Sequence, residues 1–318
     1  MMRGKIIFGL MLSFLLVGTL TLVCNFKLAK GEWIGTVHIR SDGSVYPPDA
    51  PVTTTDRITY MLTDNITSDE DGIIIERDGI TIDGCGYKVQ GLKTWDSVGI
   101  KIDYAHNVTV RNIQIENFYY GIDIGSSGVI ISGVSIKNNH VGILVYGSYN
   151  NSISGNIVTG NEYGIELSYS YYNNITENEI YGNEYGISLY ESKSNLICGN
   201  HIEHNTVGIY LYSHSSANRI YHNYFVNNHR QAWSKESVNY WDNGFPSGGN
   251  YWSDYTSRYP NAKEIDDSGI WDTPYVIDQY NKDNYPLVPE FSSITSLIGV
   301  LATTIIVAYM KISNKKIK

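Results

Sequence analysis

Charge is scarce in this chain. Only 17% of its 318 residues are Asp, Glu, Lys or Arg. The balance is acidic, at −9, which argues against a nucleic-acid partner because such a partner calls for a basic face. Cysteine is scarcer still, at three residues: Cys24, Cys85 and Cys198. A disulfide scaffold is therefore excluded, and stability must come from packing. Methionine is sparse, and His201, His204, His214, His222 and His229 share no common offset in the repeat described below. Soft or imidazole ligands must converge to hold copper, so the sequence indicates neither a metal site nor a cofactor.

Long apolar runs occur only at the two ends. Residues 1–30 carry Arg3 and Lys5 ahead of the apolar stretch Ile6 to Cys24, and read as a signal peptide or N-terminal anchor. Ile294 to Met310 is apolar and is followed by Lys311, Lys315, Lys316 and Lys318. Such a run is near the lower length limit for a membrane span. The basic tail after it predicts a transmembrane helix within 290–310, a cytoplasmic tail at 311–318 and a large domain outside the cell.

What the chain has in abundance is Gly, Asn, Ile and Tyr, arranged in a repeat. Val98-Gly99-Ile100-Lys101-Ile102 recurs five times, as far as Val207-Gly208-Ile209-Tyr210-Leu211. The glycines stand at 99, 121, 142, 164, 186 and 208. Asn pairs five residues apart run beside them: Asn112/Asn117, Asn156/Asn161, Asn178/Asn183, Asn200/Asn205 and Asn223/Asn228, with Gly133/Asn138 in the remaining turn. Apolar and polar residues alternate with period two between these markers, which argues strand. One unit of roughly 22 residues cannot bury its apolar side alone, so copies must stack. The fold class is all-β, a right-handed parallel β-helix of about eight coils. Ile100, Ile122, Ile143, Ile165, Ile187 and Ile209 form one internal column. The corner Asn and Gly suit left-handed or bridge-region backbone.

The coils are expected over 58–239. Residues 31–57 precede them as an N-terminal cap, and 240–289, rich in Trp and Tyr, form an aromatic C-terminal cap over the open edge. Asp78-Gly79-Ile80-Thr81-Ile82-Asp83-Gly84, the coils from Gly99 to Asn228, and the end block carry a further signal. That block holds Gly249-Asn250-Tyr251-Trp252-Ser253-Asp254-Tyr255 and Asp272-Thr273-Pro274-Tyr275-Val276-Ile277-Asp278. Together these segments resemble the NosD-like right-handed β-helix proteins of the pectin-lyase superfold, of the archaeal cell-surface type, over about residues 33 to 288. The resemblance implies a role in copper-site maturation for some members, and related β-helices bind or cleave polysaccharides. Ser268 and Trp271 stand where family members have Asp and Gly, which weakens a calcium-loop reading.

Three kinds of outward residue are candidates for function. Tyr146, Tyr190 and Tyr212 share the column four after the ladder Gly, with Tyr210 beside it. Tyr rings with a polar tip suit the faces of sugars, so a polysaccharide or another cell-envelope component is the expected partner. Stacked Tyr that merely stiffens the rod is the competing reading. Asp123 and Glu166 share the column two after the ladder Gly, two coils apart, and Asp103 lies one coil from Asp123. A separation of ~10 Å between strands two coils apart allows a glycoside hydrolase or lyase pair, although no family catalytic motif carries over. Asn65, Asn107, Asn150 and Asn174 begin glycosylation sequons.

Overall fold

The computed structural model describes residues 33 to 289. The N-terminal targeting run, the 294–310 span and the basic tail lie outside the described residues. Among those described, no helix is long and apolar enough to cross a membrane.

The chain winds as a right-handed parallel β-helix of about eight coils, each touching three sheets of ten, ten and nine strands. The ladder sheet holds the Gly-Ile strands, from Val98–Ile102 through Tyr120–Ile124, Val141–Tyr146, Tyr163–Ser168 and Tyr185–Tyr190 to Val207–Tyr212. Next along each coil comes the second sheet, with Thr109–Arg111 and Ser152–Ser154 among its strands. The third sheet follows, with Gln114–Glu116 and His201–Glu203. Register is in step: Ile100 pairs with Ile122, Ile122 with Ile143, and so on to Ile209. All six isoleucines are fully buried. Burying such a side chain contributes roughly 1.5–3 kcal/mol, so each coil is stabilised only by the coils it touches.

The ladder glycines answer to space. A Cβ on Gly142 would lie 2.5 Å from the carbonyl oxygen of Gly164, and the same contact recurs at Gly99, Gly121, Gly164 and Gly186. Only glycine lets the next coil close that tightly.

The asparagines answer to hydrogen bonding. At one corner Asn178 Nδ2 donates to Asn200 Oδ1 and to the Ile153 carbonyl, both at 2.9 Å, while Asn178 N–H donates to the same Asn200 Oδ1 at 3.1 Å. Every buried amide hydrogen is thereby paired, at a net gain of about 1 kcal/mol per bond.

The corner assignments need two corrections. Asn156, Asn178, Asn200 and Asn223 do not carry the left-handed turn; Gly155, Glu177, Gly199 and His222, one residue earlier, do. Asn112, Gly133, Asn117 and Asn138 belong to that left-handed class themselves. They stand one residue before the ladder positions; after Gly133, Asn117 and Asn138 those positions are held by Val134, Phe118 and Asn139, each of which donates its backbone N–H to a ladder amide oxygen. A third ladder, Asn151, Asn173, Asn195, Asn218 and Asn239, runs along the remaining corner.

Rungs also extend beyond the expected boundaries. Trp33–Ile34 and Val37–Ile39 already pair in parallel with later coils, and the hairpin partner Val45–Tyr46 covers the edge of Val37–Ile39. Val52–Thr53 covers the edge of Thr59–Leu62, and at the other end Tyr251–Trp252 adds a last strand to the third sheet. Behind it the ladders terminate in the cap. Asn281 Oδ1 accepts from Asn239 N–H and Trp241 Nε1, and Asp283 accepts from Asn250 N–H, Trp252 Nε1 and Tyr285 N–H. Burial pushes the Asp283 carboxyl up to about 7 against those three donors. Trp252 lies between Phe225 and Tyr275, with ring centres 4.5 and 4.1 Å away.

Candidate functional site: an aromatic groove on the ladder sheet

Period-two alternation turns every second ladder-sheet residue outward, and the register stacks those residues into columns. The central column reads Lys101, Asp123, Leu144, Glu166, Ser188, Tyr210 and Trp233. On one side stand residues that precede the ladder Gly. Ring contacts pass from Trp95 to Tyr119 (4.4 Å), His140 (4.3 Å), Tyr163 (5.9 Å), Tyr185 (5.0 Å) and Tyr210 (5.5 Å). On the other side Tyr146, Tyr169, Tyr190 and Tyr212 follow one another at 6.0, 5.2 and 5.0 Å. The two rows form walls and the central column forms the floor. Among the described residues, Trp95 and Tyr104 are the most exposed large hydrophobic side chains, at 78% and 87%.

The floor is acidic. Lys101 is shared between Asp71 and Asp103, at 3.8 and 3.7 Å, which leaves Asp123 without a cation of its own. Burial, reinforced by Asp103, pushes the Asp123 carboxyl up to about 6. Burial also raises Glu166, opposed by His140 and by a Ser168 hydrogen bond. Over the walls, burial and then Glu162 push Tyr163 up to about 12, and burial and then Glu166 do the same to Tyr212. His140 meets Glu162 at 2.8 Å, beside a cavity of about 300 Å³ that Tyr119 and Lys93 also line.

The expected site residues are thus distributed as follows. Tyr146, Tyr190, Tyr210 and Tyr212 lie in this groove, as do Asp103, Asp123 and Glu166. The sequons fall elsewhere. Asn107 and Asn150 are exposed at left-handed corners, and Asn174 is exposed on the second sheet. Asn65 is half-buried, and its Oδ1 accepts from Lys88 N–H. Sequence reasoning passed over Trp95, Tyr104, Tyr119 and His140. For Tyr119 and His140 a signal existed, because both stand two before a ladder Gly. Trp95 and Tyr104 sit in loops that the repeat does not predict.

Fold and face together define a parallel β-helix with an aromatic-walled, acid-floored groove on its outer surface. A family model described as periplasmic copper-binding protein (NosD) matches residues 62–257, more than half of the chain, and the chain belongs to that family. No curated protein sequence matches it. Solved structures of similar winding include the enzymatically active domain of bacteriophage CBA120 tailspike protein 2, at 14% identity and TM-score 0.47 over 56% of this chain and 33% of that one. Another is the A-module of an Azotobacter vinelandii mannuronan C-5 epimerase, at 14% and 0.43 over 59% and 65%. A third is a variant of the periplasmic alginate epimerase AlgG, at 18% and 0.37 over 68% and 71%. The chain spans a third of the tailspike domain and just under two thirds of the A-module. At these identities the likeness is one of fold alone.

The family description makes copper the first ligand to test against the residues. His201 Nε2 and His204 Nδ1 both approach Glu203 Oε2, at 3.2 and 3.7 Å. Even so, no three His, Cys, Asp or Glu side chains among the described residues are placed to hold a metal ion. The described residues therefore do not fit a copper centre.

Proposed function

We propose that this protein is a membrane-tethered, extracellular glycan-binding β-helix whose ladder-sheet groove takes an uncharged polysaccharide. The unbroken run of ring contacts from Trp95 to Tyr210, facing a second row from Tyr146 to Tyr212, carries the reading. Tyr faces offer apolar area with a polar tip, which matches a pyranose ring with apolar faces and a hydroxylated rim. The floor carboxylates accept hydroxyl protons. They also repel a polyuronate, because the one floor cation, Lys101, is already engaged by two acids.

The full chain, incubated with glucan, mannan, xylan and polygalacturonate, tests this. Retention on at least one neutral polymer, weakened at least about tenfold by Tyr163→Ala, is the expected result. Preferential retention on polygalacturonate, or on nothing, would end the proposal.

A second reading has its own support. A carboxyl raised to about 6 in a groove, beside a second acid, is the kind of group that serves as a general acid. On that reading Asp123, with Asp103 or Glu166, cleaves the bound chain. New reducing ends that disappear in Asp123→Asn would establish it, and their absence during prolonged incubation would remove it.

A further inference from the structure

The floor of the groove does not stay open along its length. Lys101, Asp123, Leu144 and Glu166 are all partly exposed, but Ser188, the next residue of the same column, is 0% exposed. Its Oγ lies beside the Tyr212 hydroxyl, whose upward shift it opposes. Rings cover it. Tyr210 is itself a floor residue, yet its ring lies 5.5 Å from Tyr185 of one wall and 4.5 Å from Tyr212 of the other, and nearly parallel to the latter at 8°. Trp233 backs it at 4.7 Å, and Arg230 sits over the Trp233 ring at 4.5 Å. Two coils on from Glu166, the Tyr210 ring therefore bridges the two rows across the floor. Upstream the floor continues at the surface through the partly exposed Ile74 and His38. The groove has one open end and one blocked end. With Ile74 and His38 included, the open floor runs five strand steps from His38 to Glu166, ~24 Å, and it is closed at the Tyr210 end.

We propose that the groove captures the terminus of a glycan chain, which enters from the Asp123 side and stops against the Tyr210–Tyr212 ring pair. This inference rests on the glycan-binding reading and specifies its geometry. A chain end is the only part of a linear polymer that meets a wall without bending. A pyranose face laid against the exposed edge of the ring pair buries apolar area that an internal residue passing overhead cannot reach.

The test uses the full chain and neutral glucan, mannan and xylan oligomers of short, medium and long chain length. A cyclic glucan without ends serves as control. For whichever glycan is bound, affinity per mole of chain should be independent of length once the groove is filled, and the cyclic glucan should not bind. Tyr210→Ser, which removes the bridge, should make affinity per chain rise with length and admit the cyclic glucan. Affinity that already rises in proportion to length in the natural protein overturns end capture. If that binding is still lost in Tyr163→Ala, the glycan-binding reading survives and only end capture fails. If no glycan of any length binds, both fail.

Discussion

Two regions of this molecule are built from the same aromatic residues and serve opposite ends. In the C-terminal cap, Trp241, Trp252, Tyr255 and Tyr275 are all buried to within 2%. Each of their polar tips has an internal partner: Asn281 for Trp241, Asp283 for Trp252, the Thr273 carbonyl for Tyr255 and the Asp254 carboxylate for Tyr275. In the groove the rings contact one another in rows and stay at the surface, partly exposed, with Tyr146 at 55%. Aromatic content therefore does not reveal the role. What separates the two is burial: the cap rings are sealed inside with their polar tips paired, whereas the groove rings remain at the surface. A sealed ring closes an edge, and a surface ring is available to a ligand.

The contrast can be broken or sharpened by substitution. The largest effect should come from the scaffold both regions share. Gly164→Val places side-chain carbon against the Gly186 carbonyl, where a Cβ would already be 2.5 Å away. A loss above about 4 kcal/mol is expected, seen as failure to recover folded protein by circular dichroism.

Next comes the cap. Asp283→Ala leaves two buried N–H donors and one half-buried one unpaired and should cost about 3 kcal/mol in urea unfolding. Glycan affinity in the same variant, measured below its unfolding transition, should be unchanged. A large loss of affinity would mean that cap and groove are not independent.

The groove should behave in reverse. Tyr185→Ala should lower glycan affinity about tenfold while changing stability by less than about 1 kcal/mol. Equal damage to both would return the Tyr rows to a purely stiffening role.

The smallest expected effect is electrostatic. Asp123 has a carboxyl raised above its unfolded value of 3.8 to about 6, so the folded state holds its proton more tightly. That contribution is fully present below pH 3.8 and is lost as pH rises through 6. Asp123→Asn should therefore stabilise the protein near neutral pH by about 1 kcal/mol, after allowance for solvent screening, and change nothing near pH 3. A variant equally stabilised at both pH values would mean that charge is not the cause.

Much of this architecture was legible before any coordinates. The Gly-Ile spacing identified the strands of the ladder sheet, and its columns placed Tyr146, Tyr190 and Tyr212 together. The corners were harder to read. Asn112 and Asn138 mimic the ladder Asn of later coils, yet their backbones are left-handed and their side chains take no part in those ladders. The third ladder was hidden because Asn151 stands beside Asn150, and a sequence pattern does not say which of two neighbours points inward. In the same way His140 gave no sign that it would bridge Tyr119 and Tyr163, since ring contact depends on coil-to-coil stacking.

The sequence alone determined the period and, through alternation, which side chains face the core. Both are local properties of a strand, and every repeat restates them. Tertiary structure decided which outward rings meet, that Tyr210 bridges the two walls, and that Asp123 is left without its own cation. Those outcomes depend on the few ångströms separating side chains of neighbouring coils, which the loops between strands set and the repeat does not encode.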